Sequence, residues 1–254
     1  MTTWVFLRGL MRESRHWGEF PTQFLAEIPL QNIITLDFPG NGSLYASASA
    51  TSVEQMVEHC RDSLQQASYA PPYRILALSL GAMVATAWVD RYPNELKRVI
   101  LINTSLAPHN RFYQRLRPKN YATLLRFLVQ GSVTKRETLI LRITSSIAAT
   151  DVEHANNILT HWHSYAKEFP ITRTNIMRQL VAAMCYRAPD KLPPVPMLLL
   201  AGKQDKLVNP ICSITLAKRW GCTIETHGNA GHDLPLDDGE WVAKKIKAWL
   251  LENV

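Results

Sequence analysis

The chain has 254 residues, of which 46% are hydrophobic and 19% charged, with a formal net charge of +7. That length and apolar content suit one large core, or a core carrying an insertion, and no internal repeat or low-complexity tract interrupts them. No run reaches the roughly 18 consecutive apolar residues of a membrane helix, the start MTTWVFLRGL has no basic region ahead of its apolar residues, and neither a span nor a signal peptide is expected. Four cysteines lack C-x-x-C spacing or a paired framework, so free thiols in a reducing cytoplasm are expected.

Taken in chain order, short apolar runs alternate with helical patterns. Strands are expected near residues 3–7, 32–36, 73–78, 97–102, 195–201 and 222–226, and helices near 17–27, 52–68, 80–92, 209–219 and 239–251. The segment Thr51 to Ala67 illustrates the helical pattern: Val53, Met56, Val57, Cys60 and Leu64 share one face, while Glu54, Glu58, Arg61 and Asp62 fall elsewhere. This alternation implies an α/β chain with a mostly parallel sheet of about six strands and helices on both faces.

From about Ala107 to Asp190 the alternation stops. Helices are expected at Ala122 to Gln130, Lys135 to Ser146, Val152 to Phe169 and Thr174 to Tyr186. We read residues 107–190 as a helical lid inserted in a core formed by residues 1–106 and 191–254.

The chemistry centres on Ser79. The run ILALSLGAMVA places one serine between an apolar strand and a small-residue helix start, and Ala77-Leu78-Ser79-Leu80-Gly81 differs from a G-x-S-x-G elbow only at its first position. A serine hydroxyl needs a base, and the base needs an orienting acid. Asp205, in the turn Gly202-Lys203-Gln204-Asp205 after an apolar strand, is the expected acid. His232, in the glycine-bounded loop Gly228-Asn229-Ala230-Gly231-His232, is the expected base. In an open parallel sheet ligands bind beyond the carboxyl ends of the strands, and all three residues follow such ends. Two backbone amides are expected to receive a developing oxyanion: Leu80 at the helix start, and Leu10 in the loop Arg8-Gly9-Leu10-Met11.

On these residues the chain resembles an α/β-hydrolase of the small bacterial carboxylesterase type over nearly its whole length. The matching segments are RGLM, DFPGNG at Asp37 to Gly42, ALSLG, GKQD and GNAGHD. The resemblance implies the α/β-hydrolase fold with an inserted lid, an acyl-serine mechanism on a small-molecule ester, and no cofactor or metal. Two departures stand out. Arg8 occupies the place where the family usually has His before the glycine, and, with the strand before that loop almost at the start of the sequence, the two leading strands of the full family sheet are not expected in it.

Charge collects in the lid: residues 107–190 hold twelve Lys and Arg against five Asp and Glu, a net +7 equal to that of the whole chain. Arg111, Arg115, Arg117 and Lys119 are the sharpest cluster. They suit either docking of an acidic carrier protein, as in the similar pimeloyl-acyl-carrier methyl ester esterases, or an ordinary solvated surface. A nucleic-acid partner is not expected, because stacking aromatics and reader motifs are lacking. Asp233, Asp237 and Asp238 read as helix caps and surface charge. His227 is the lesser alternative to His232, and His161 with His163 does not read as a metal pair. Glu13 and His16 either touch substrate or line a surface turn. The reading is a serine carboxylesterase, with a thioesterase or carrier-ester hydrolase as one alternative and a lyase, acyltransferase or ligand-binding member of the fold as another.

Overall fold

The computed structural model describes residues 2–122, 125 and 132–252. Six strands, β1 (Thr3–Leu7), β2 (Asn32–Leu36), β3 (Tyr73–Leu78), β4 (Leu96–Ile102), β5 (Met197–Gly202) and β6 (Thr223–His227), form one sheet in the order β2-β1-β3-β4-β5-β6. Every neighbouring pair is parallel. The central strands read as continuous apolar runs because both faces are covered, and all six residues of β5 are buried.

Side chains along a strand alternate between faces, so the runs divide into two cores. Val5, Leu7, Ile75, Ala77, Val99, Leu101 and Leu199 pack with α2 (Val53–Gln66), α3 (Leu80–Arg91) and the helix Ile211–Trp220. Trp4, Phe6, Leu76, Ile100, Ile102 and Leu198 pack on the other face with α1 (Phe20–Glu27) and the helix Leu234–Glu252. A smaller cluster of Ile140, Leu141, Ala155, Ile158 and Trp162 joins the helices Val133–Thr144 and Val152–Glu168, which lie between β4 and β5 in sequence.

The elements follow the expected order, with instructive differences. The last helix starts at Leu234 rather than near Gly239 and is broken at Asp238 (φ −158°, ψ 76°). Asp238 Oδ1 accepts from Trp241 N at 2.9 Å, so the reading from sequence located the second, capped segment and missed the turn before it. Gly18, at φ 54°, divides the expected helix 17–27 into a 3-10 turn, Ser14–Trp17, and α1. The short helices Phe112–Arg115 and Ile147–Thr150 were not expected. The helix expected at Ala122 to Gln130 lies largely outside the described residues. Among the described residues no helix is long and apolar enough to cross a membrane.

Leu101 is fully buried on a central strand. Leu101→Ala is expected to lower unfolding free energy by about 2–5 kcal/mol in urea denaturation.

Candidate active site

Ser79 stands between β3 and α3 at φ 56°, ψ −111°, a conformation that costs a non-glycine residue strain and lifts its side chain out of the strand-helix path. Its amide donates to Ile102 O at 3.1 Å, and its carbonyl accepts from Ala82 N at 3.0 Å. The elbow tolerates only a small residue at Gly81, where a Cβ would lie 2.4 Å from Leu7 O and 2.7 Å from Arg8 O. Both partners are backbone atoms and cannot yield.

Asp205 and His232 follow β5 and β6. Asp205 Oδ1 accepts from the amides of Leu207 and Val208 at 2.8 and 2.9 Å, and Oδ2 lies 2.6 Å from His232 Nδ1. Asp205 is 1% exposed and His232 3%. Nδ1 faces the carboxylate, which when ionised can only accept from it, and Nε2 has no hydrogen-bond partner. His232 and Ser79 line one cavity of about 80 Å³, together with Leu10, Met11, Leu78, Ile140, Ile143, Thr144 and Leu207. No hydrogen bond joins the two in this state.

Of the two residues expected to supply oxyanion amides, one borders this cavity. Leu10 lines it. The next two amides are engaged, Met11 N with Gln179 Oε1 at 3.0 Å and Arg12 N with Gly9 O at 3.2 Å. Leu80 is the first residue of α3, where an amide has no acceptor within the helix.

Several residues that hold the site escaped the sequence reading. Asn103, after β4, donates to Gly231 O at 3.0 Å and His232 O at 2.7 Å, and accepts from Gly202 N at 2.9 Å. Asp233 is a correction: expected as a cap or surface charge, it is 3% exposed and takes a two-pronged bond from Arg8, at 3.1 and 2.5 Å. Arg8, in the usual histidine's place, therefore ties the Gly9 loop to the His232 loop and rests its guanidinium 4.7 Å from the Trp17 ring. Asp237 is also no simple surface charge, since it accepts from Gly231 N at 2.6 Å, Ser145 Oγ at 2.5 Å and Ser146 N at 3.0 Å. Asp238 is the cap described above and lies 3.2 Å from His227 Nε2. His227 Nδ1 accepts from Ala230 N at 2.8 Å, a loop-shaping role outside the cavity.

Glu13 and His16 are buried behind the Gly9 loop, not on a surface turn. His16 lies 2.7 Å from Arg12 Nη1 through Nε2. Burial, followed by the nearby Arg12 and Arg8 charges, holds its pKa well below the usual 6.5, so it stays neutral. Burial also raises the Glu13 carboxyl, against the pull of Arg15.

In the basic cluster Arg111 and Lys119 are exposed, whereas Arg115 is half-buried and donates to Ala183 O at 2.6 Å. Desolvation is the main cause that lowers the Arg115 pKa. No group of His, Cys, Asp and Glu suited to a metal occurs among the described residues.

A parallel sheet carrying a strained serine elbow, with an Asp-bonded histidine beside it, defines an α/β-hydrolase. The chain belongs to the serine aminopeptidase S33 family, whose model matches residues 32–239. Solved structures share the fold. The enol-lactonase from Burkholderia xenovorans LB400 matches at TM-score 0.79 and 16% identity, over 98% of this chain and 91% of that one. The 2-hydroxy-6-oxo-6-phenylhexa-2,4-dienoate hydrolase from Rhodococcus sp. strain RHA1 matches at 0.77 and 19%, over 100% and 91%. A thermophilic esterase from Thermogutta terrifontis matches at 0.76 and 17%, over 99% and 90%. The search of curated proteins returned no match.

Two outcomes follow from the buried groups. Arg8→Met leaves the Asp233 carboxylate buried without its cation and is expected to cost about 3–5 kcal/mol in urea denaturation, most of it recovered when Asp233→Leu is added. The unfolded chain protonates His16 near the ordinary 6.5 while the native residue does not. Its contribution to stability is therefore lost as pH falls below that value, with a slope approaching about 1.4 kcal/mol per pH unit. Denaturation curves of His16→Gln should show a correspondingly weaker pH dependence.

Proposed function

We propose that this α/β-hydrolase is a serine hydrolase that cleaves carboxylic esters through an acyl-serine intermediate. The observation that carries this reading is one imidazole, bonded at Nδ1 to Asp205 at 2.6 Å, with Nε2 unpartnered in the cavity that Ser79 also lines. Ser79 Oγ attacks the ester carbonyl carbon as His232 Nε2 takes its proton. Asp205 fixes the tautomer and balances the imidazolium charge. The carbonyl oxygen becomes an anion received by the Leu10 and Leu80 amides, which are held in place before the reaction starts. Collapse expels the alcohol, protonated by His232. Water then attacks the acyl-serine with the same histidine as base, releasing the acid.

Residues 107–190 act as the lid in this reading, since Ile140, Ile143 and Thr144 of the helix Val133–Thr144 form one wall of the cavity. At about 80 Å³ the cavity is far below the ~300 Å³ at which drug-sized ligand pockets begin, which favours short acyl groups. A thioester would react by the same steps. Docking of an acidic carrier has support from the exposed Arg111 and Lys119, and less from Arg115, whose guanidinium bonds within the chain.

A fluorophosphonate probe should label Ser79, and Ser79→Ala or His232→Ala should abolish labelling. Asp205→Ala should lower kcat by about 10³-fold or more. In a panel of esters of graded acyl length, turnover should fall as the chain grows. Well-folded protein that does not label would be a binding module, and labelling without acid release from any ester would point to a lyase or acyltransferase.

A further inference from the structure

The cavity walls are mostly apolar, with Leu10, Met11, Leu78, Ile140, Ile143 and Leu207, but two arginines, Arg8 and Arg12, also line it, and Arg12 lines the neighbouring cavity with His16 and Glu137 as well. The two arginines differ in how fully they are matched. Both terminal nitrogens of Arg8 bond Asp233, one carboxylate for one cation. Arg12 is 6% exposed; its Nη1 donates to Glu137 Oε2 at 2.6 Å and lies 2.7 Å from His16 Nε2. The guanidinium stacks 4.5 Å from the Trp162 ring. Its Nη2 is buried and has no acceptor.

The pairing at Glu137 is also uneven. Glu137, 3% exposed, is shared, because Arg136 Nε donates to its other oxygen at 3.3 Å. Two guanidinium groups thus meet one carboxylate. Neutral His16 adds no charge and accepts from Arg12, so it does not compensate the excess. A buried donor without a partner costs about 1–3 kcal/mol, more for a charged group, and an incoming acceptor removes that penalty. Arg12 sits three residues beyond Gly9, on the loop whose Leu10 amide is assigned to the oxyanion.

We infer that the substrate carries a carboxylate within a few bonds of its scissile carbonyl, and that Arg12 receives it; this deepens the serine-hydrolase reading above and rests on it. The planar carboxylate suits a guanidinium edge, and the narrow cavity keeps the anion close to the reacting centre. Nη2 is buried, so binding includes a small turn of the guanidinium on the Trp162 face that brings Nη2 to the cavity. Arg12 is a specificity residue: it separates acids carrying a second carboxyl group from simple fatty esters.

The test compares monomethyl succinate with methyl 4-methylpentanoate, a neutral ester of the same shape, by acid release at constant pH. Apolar walls alone favour the neutral ester, whereas an anion site should favour the charged one by at least about tenfold in kcat/KM. In Arg12→Gln the ratio should fall toward one, and Arg12→Gln with Glu137→Gln should show the same fall if the single variant folds poorly. A wild-type ratio near or below one, or a ratio unchanged in the variants, overturns the inference while leaving an ester hydrolase that labels at Ser79. If neither ester is turned over and Ser79 does not label, the hydrolase reading has failed separately. Calorimetric titration with succinate then decides: saturable binding lost in Arg12→Gln supports the anion site, and no binding overturns it.

Discussion

One buried side-chain amide, that of Asn103, holds together the end of the sheet on which the chemistry depends. It stands where β4 ends, at φ 46°, and engages Gly202 at the end of β5 and the carbonyls of Gly231 and His232. Both amide hydrogens and the oxygen are used, so the group is nearly saturated in a place where an unpaired polar atom would be costly. The acid turn and the histidine loop are positioned against each other by this residue before any reacting group is considered. Glycine makes the approach possible, since a Cβ at Gly202 would lie 2.2 Å from Gly231 O.

Around that joint the molecule places charge where water is scarce. Arg8 with Asp233 and Arg12 with Glu137 are both buried ion pairs. Such pairs add little to net stability, because desolvation offsets much of their attraction, but removing one partner is costly. Arg8 links the Gly9 loop to the histidine loop, and Arg12 links it to the helix Val133–Thr144. The loop that carries Leu10 is thereby fixed from two sides.

Much of this was legible in the sequence, for identifiable reasons. Strands 3–7, 32–36 and 73–78 stand where the apolar runs placed them; for 3–7 and 73–78, inside a parallel sheet covered on both faces, burial is written into consecutive residues, whereas 32–36 is a half-buried edge strand. Ser79, Asp205 and His232 could be singled out because each follows an apolar strand-like run in a turn rich in small residues. Asn103, Asp233 and Asp237 could not. Their partners are distant in the chain, as with Arg8 and Asp233, 225 positions apart, and no local period records such a pairing. Asp233 beside a helix start looked like a cap because caps are the commoner use of that residue there. The charge count over residues 107–190 likewise could not say that Arg115 turns inward to Ala183 O.

The anchoring of the cavity's helical wall has a mechanical consequence. Asp237 grips Gly231 with one hand and Ser145 and Ser146 with the other, while Asp233 N donates to Thr144 O at 2.7 Å. The C-terminal end of the helix Val133–Thr144 and the loop bearing His232 therefore travel as one body. Moving that end of the cavity wall outward pulls on the loop that carries the imidazole, so admission of a bulkier guest and alignment of the base are not independent variables.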